Sequence, residues 1–174
     1  LETTTNTFSY ADTSAVNSKV ALSNGLMLAK FRVHGSHIVN SVRAYITGGT
    51  TLNKVVYGVL VNNAGAVVAQ TAPHTVVASD TAQWVTFPFM DWTQTVVVDT
   101  PMYVGIAQVG SGFNPLGSQA ESPVRTGAFY TVSSLTGGTL TPITNQGRLM
   151  ISAEIGDLPA YEVALLSINN PVSG

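Results

Sequence analysis

Apolar and polar positions alternate along this chain with a period of two. In "IVNSVRAYI", Ile38, Asn40, Val42, Ala44 and Ile46 share one face, while Val39, Ser41, Arg43 and Tyr45 share the other. "KVVYGVLV" aligns Val55, Tyr57, Val59 and Val61. "RLMISAEI" aligns Leu149, Ile151, Ala153 and Ile155 against Ser152 and Glu154. Successive side chains of an extended chain point to opposite sides of a sheet, so this alternation predicts strands with a buried face. Val, Thr, Ile and Tyr dominate these runs, and such side chains pack well on a pleated surface. The segments that read this way are 26–33, 38–47, 54–61, 66–71, 84–90, 94–99, 102–109, 127–132 and 147–155. "VNNAGAVV" reads as a hairpin with Asn62 to Gly65 as its loop. "TGGT" occurs at 47–50 and at 136–139 with unrelated flanks, which marks two loops, not a repeat. "ADTSAVNSKVAL" has poor helix propensity, and no helix is expected. The expectation is an all-β chain, an antiparallel β-sandwich of the jelly-roll type with about eight or nine strands. The longest irregular segment, "GSGFNPLGSQAESPV" at 110–124, reads as a functional or mobile loop.

The end of the chain reads differently. In "GDLPA", Gly156 and Pro159 break the preceding strand, so the sandwich domain is placed at 1–156 and a linker with an extra strand at 157–174. "EVALLSINNPVSG" is again strand material. It can open a following module, close onto its own sheet, or add to the sheet edge of a neighbouring subunit, as in a filament joined by strand exchange.

Composition narrows the setting. A chain of 174 residues suits one domain with a real core. Charged residues make up 9% of it, against roughly 25% in ordinary soluble proteins. Solubility therefore rests on Thr, Ser, Asn, Gln and Gly, a surface common on extracellular β proteins. A net charge of −2 from scattered residues offers no footprint for nucleic acid or an anionic membrane. The absence of cysteine removes disulfides, thiolate nucleophiles and Cys-based metal sites. The first residue is Leu1, which suggests a processed or excised piece. No apolar run approaches the roughly 18 residues of a membrane span.

Chemistry is sparse. There is no nucleophile elbow, phosphate-binding loop, zinc-protease helix or dinucleotide fingerprint, and no catalytic residue is nominated. His34 and His37 flank the turn in "VHGSHI", and His74 lies in "APHTVVASDTAQ"; they read as turn residues rather than metal ligands. No pair among the nine acids stands out for glycoside hydrolysis. No cofactor is expected, although a structural calcium held by backbone carbonyls would leave no mark in the sequence. The aromatics say more, with Trp84, Phe87, Phe89 and Trp92 crowded into "QWVTFPFMDW". With Val85, Phe87 and Phe89 facing inward, Trp84 and Thr86 face outward. An exposed Trp can stack on a sugar, so Trp84, Trp92 and Phe113 of the long loop are the candidate ligand-binding residues. The plainer reading has Trp84 covering a sheet edge and Trp92 plugging the core.

The order of landmarks "AKFRV", "HIVNSVRAYI", "KVVYGVLVNNAGAVVAQT", "WVTFPF", "MYVGIAQV" and "GRLMISAEIG", over about residues 26 to 156, resembles the jelly-roll, cleaved-adhesin-like domains of Bacteroidetes surface proteins exported by type IX secretion. The tail resembles the opening strand of the Ig-like modules that follow such domains. The resemblance implies a multidomain, extracellular, cell-surface protein. It implies a non-catalytic structural or adhesive module whose partners are neighbouring domains or subunits, with a carbohydrate-binding accessory module and an exchanged-strand filament subunit as alternatives. It supplies no catalytic residues. It also implies O-glycosylation at Asp-Ser/Thr-small motifs, which makes Thr81 of "DTA" a candidate acceptor. The plainer reading of that segment is a polar turn in which Asp80 bonds nearby backbone.

Overall fold

The computed structural model describes residues 6–20, 22–91 and 94–157. They form fifteen strands: β1 (Asn6–Ser9), β2 (Ser18–Val20), β3 (Gly25–Arg32), β4 (Ser36–Ile46), β5 (Val55–Val61), β6 (Val67–Gln70), β7 (His74–Thr75), β8 (Gln83–Pro88), β9 (Val96–Val98), β10 (Pro101–Val109), β11 (Leu116–Gln119), β12 (Phe129–Val132), β13 (Thr141–Pro142), β14 (Arg148–Leu149) and β15 (Ile151–Asp157). Two three-residue 3-10 turns, Gly49–Thr51 and Ala78–Asp80, lie between the strands.

Topology decides the fold. One antiparallel sheet runs β1–β15–β4 and then β8 and β9, which lie end to end along the far side of β4. The other runs β3–β10–β5–β6. Followed in chain order through these strands, the path changes sheet at every step except the β5–β6 hairpin. That winding is the jelly roll: eight strands, with β8 and β9 as two halves of one. The short strands β2, β11 and β14 extend the first sheet, and β7, β12 and β13 extend the second.

The space between the sheets is filled from both, by Met27, Val42, Ala44, Phe87, Ile106, Phe129 and Ile151 among others. A second apolar cluster lies on the outer face of the β3–β10–β5 sheet and holds Leu28, Tyr57, Val59, Val61 and Tyr103, with Leu135 and Leu140 packed against it. This explains why β3, β5 and β10 carry apolar residues on both faces: the 133–140 segment folds back over them. It is pinned where Gly138 donates its N–H to the Gly65 carbonyl at 2.9 Å. Gly65 has φ +83°, and a Cβ there would meet the Gly138 oxygen at 1.9 Å, so both the backbone angle and the close approach require glycine.

Three expectations are corrected. Asn40 does not share the inward face with Val42. The pairing of β4 with β15 shifts register between Glu154 and Ile155, leaving Asn40 exposed at a bulge, so Val39 points inward instead. Gly156 and Asp157 do not begin a linker; β15 continues through them, paired with Ile38 and His37. Glycine fits there because a Cβ would stand 2.7 Å from the Asn40 side-chain nitrogen. The segment 110–124 is not one long loop. Residues 116–119 form β11, buried throughout, and Phe113 is a core residue.

Candidate functional site

The feature best suited to contact is the open edge at β9. Its sequence, "VVV" within "TQTVVVDTP", is short, β-branched and uncharged. Val97 points into the core at 8% exposure, while Val96 and Val98 alternate outward at 36% and 56%. β9 pairs with β4 on one side, Val98 opposite Ser36 and Val96 opposite Ile38. Among the described residues no strand pairs with its other side. Edge strands are often guarded by Lys, Pro or a bulge; the three residues of β9 carry none of these, and its shortness and the adjacent Asp99 are what limit pairing there.

A groove of about 420 Å³ runs along that edge, between β9 and the β5–β6 hairpin. Leu60, Val68, Val97 and Met102 give it aliphatic walls, and Asn62 and Asn63 stand at one side. None of the described residues that line it is charged or titratable. The arrangement offers unpaired strand backbone beside an apolar floor. It suits an extended peptide and offers nothing for acid–base or nucleophilic chemistry.

At one end of β9 two His–Asp pairs gather. His34 Nδ1 lies 3.4 Å from Asp99, and His37 Nδ1 lies 3.5 Å from Asp157. His37 Nε2 donates to the His34 carbonyl at 2.8 Å. The two rings are thus engaged with separate aspartates. Among the described residues no group of three or more His, Cys, Asp or Glu could hold a metal ion.

His74 and Asp80 form a tighter pair. Asp80 Oδ2 accepts from His74 Nε2 at 2.7 Å and from the Val77 N–H at 2.9 Å. Burial pushes the Asp80 carboxyl up, but those two donors outweigh it and hold the group below the usual carboxylate range. The neighbouring Thr81 hydroxyl donates to the Ala78 carbonyl at 2.8 Å. The pair therefore closes the turn before β8, and Asp80 bonds nearby backbone as the plainer reading expects. Thr81 is half-buried in that turn.

The three ligand candidates are not brought together. Trp84 is half-buried on the outer face of β8, opposite Tyr45 of β4. Tyr45 meets its ring edge-on at 6.1 Å, and the Arg43 guanidinium lies 5.7 Å above it. Val85, Phe87 and Phe89 do pack inward. Trp92 lies outside the described residues, as does the expected extra strand after Asp157. Phe113 is 2% exposed, so its ring is core material and not a ligand platform. The residues the sequence reading passed over are Val96 and Val98; the signal was a run of three valines with no charge inside it, bounded by Asp99.

No family model matches the chain, and no curated protein matches it. Among solved structures, a chain of "Structure of infectious bursal disease virus Gx strain" aligns at 13% identity with a TM-score of 0.38. The alignment covers 95% of this chain and 44% of that one. No helix among the described residues is long and apolar enough to cross a membrane.

Proposed function

We propose that this domain is a non-catalytic structural or adhesive module of a secreted bacterial cell-surface protein, and that it works through protein–protein contact. The observation that carries the reading is the β9 edge, with exposed valines beside an uncharged aliphatic groove. A polypeptide with matching apolar side chains satisfies both the open backbone and the floor, by the strand addition seen in many recognition domains. The neutral, hydroxyl-rich composition and the resemblance to type IX-exported adhesin domains favour an extracellular setting. Thr81 is the proposed O-glycan acceptor in that setting. Its hydroxyl, whose bond to Ala78 lies at the surface, gives up that bond to be modified.

Antibody against the domain, applied to intact and to permeabilised native cells, tests the location. Labelling of intact cells and recovery of the domain in the surface fraction are expected; signal confined to permeabilised cells overturns the reading. Turnover of a glycan or peptide by the purified domain, abolished by one acid substitution, would overturn its non-catalytic part.

A further inference from the structure

The β9 edge and the chain's own exit point lie in the same sheet. β15 ends at Asp157 opposite His37, and His37 on its other side faces Val97 of β9. β15 and β9 each run antiparallel to β4, so they are parallel to one another. β15 thus ends level with the Val98 end of β9, where a strand laid along the free edge of β9 in the antiparallel sense would begin.

The sequence after that exit matches the groove. "YEVALLSI", residues 161–168, alternates Val163 and Leu165 with Ala164, Leu166 and Ile168. Glu162 is its one charge. A strand beside β9 would turn one row toward the groove floor of Leu60 and Met102 and set the other beside exposed Val96 and Val98. Both surfaces are apolar, and each row of the segment is mainly so, with Ser167 in one and Glu162 at the start of the other.

The donor is set by reach. From β15, past β4 and β9, to a new strand is three spacings of about 4.8 Å, or about 14 Å. From Asp157 to Tyr161 are four residue steps, worth at most about 14 Å fully extended. That leaves no slack for crossing the 33–35 and 99–100 loops, which are themselves tied where the Asp99 N–H donates to the Gly35 carbonyl at 2.9 Å. Taut connections of this kind favour exchange between copies.

We propose that the groove along β9 accepts residues 161–168 of a second copy of this chain, so that copies associate by exchanging a strand. This rests on the reading of the domain as a protein-contact module and names its partner. The test is the mass in solution, by light scattering after size exclusion, of four samples. The chain 1–174 is expected to form dimers or longer assemblies. Deletion of residues 159–174 and, separately, Val98→Lys are each expected to leave monomers, the latter because it places a charge on an exposed edge position without touching the core. Mixing the two variants, one with a free groove and one with a free strand, is expected to give a one-to-one complex. A monomeric chain 1–174 overturns the proposal, as does assembly that survives either variant or a mixture that stays monomeric. These results leave the cell-surface labelling untouched, so the two readings fail separately.

Discussion

Replacing Gln108 by Leu tests whether the segment after β10 belongs to the core. Gln108 is fully buried near the end of β10. Its Oε1 accepts the Leu22 N–H at 2.7 Å, and its Nε2 donates to the Phe113 carbonyl at 2.9 Å. One side chain thus ties down both the connection entering β3 and the connection leaving β10. Leucine is close in size and keeps the apolar contacts of the stem, but it leaves both backbone groups without their partner. A buried orphan costs about 1–3 kcal/mol. The bond to Phe113 is buried and belongs near the top of that range; Leu22 is only half-buried, can be partly hydrated, and belongs near the bottom. The sum is about 2–4 kcal/mol, which for a domain of this size lowers Tm by about 5–15 °C. Urea unfolding followed by tryptophan fluorescence should show the lower midpoint with an unchanged slope. Phe113→Ala, which empties a core position, should cost about 3–5 kcal/mol in the same assay. If 110–115 were a mobile ligand loop, both substitutions would be nearly silent; a Gln108→Leu change under about 0.5 kcal/mol would refute the reasoning.

Gly105→Ala should be among the most damaging small changes, because its Cβ would lie 1.8 Å from the Met27 carbonyl oxygen on the neighbouring central strand; a cost of about 3 kcal/mol or loss of soluble protein is expected, and a neutral result contradicts the β3–β10 register. Asp80→Asn should lower stability at neutral pH. Because the folded Asp80 pKa lies below its ordinary 3.8, the wild-type advantage is fully present above that value and shrinks as pH falls through the lower folded value. Thermal melts of both proteins from pH 7 to pH 2 check this, and a gap that widens on acidification refutes it. Trp84→Ala should cost about 1–2.5 kcal/mol through lost contacts with Tyr45 and Arg43. Loss of glycan binding on an array with no loss of stability would instead make Trp84 a sugar platform.

The long strands were legible because their burial is apolar and periodic: β3, β4, β5, β8 and β10 all coincide with alternating or continuous hydrophobic runs. β11 was not, because its "LGSQ" is buried through polar groups. Gln119 is 1% exposed and holds the Asp12 and Ser14 carbonyls with its amide nitrogen at 2.9 and 2.8 Å, a pairing 105 or more residues apart that no local pattern encodes. The bulge at Asn40 was hidden for the same reason, since it depends on what β15 places opposite it. The outward burial of Tyr57, Val59 and Val61 required knowing that 133–140 returns over them. At the candidate site, the strand at 94–99 could be read from its valines, but its position at a sheet edge is a property of topology. Phe113 is not legible as core because its Gly- and Pro-rich neighbourhood has the pattern of an exposed loop, whereas Gln108 fastens it inside.

The central claim is that this jelly roll acts through the free edge of β9. Amide hydrogen–deuterium exchange at Val96 and Val98, whose N–H groups point away from β4, compared between the chain 1–174 and the same chain lacking residues 159–174, tests it most directly. Slow exchange at these two amides in the full chain at high concentration, becoming fast on deletion or on dilution, is the expected result. Equal exchange in both proteins, with β4 and β10 protected alike, would contradict the account.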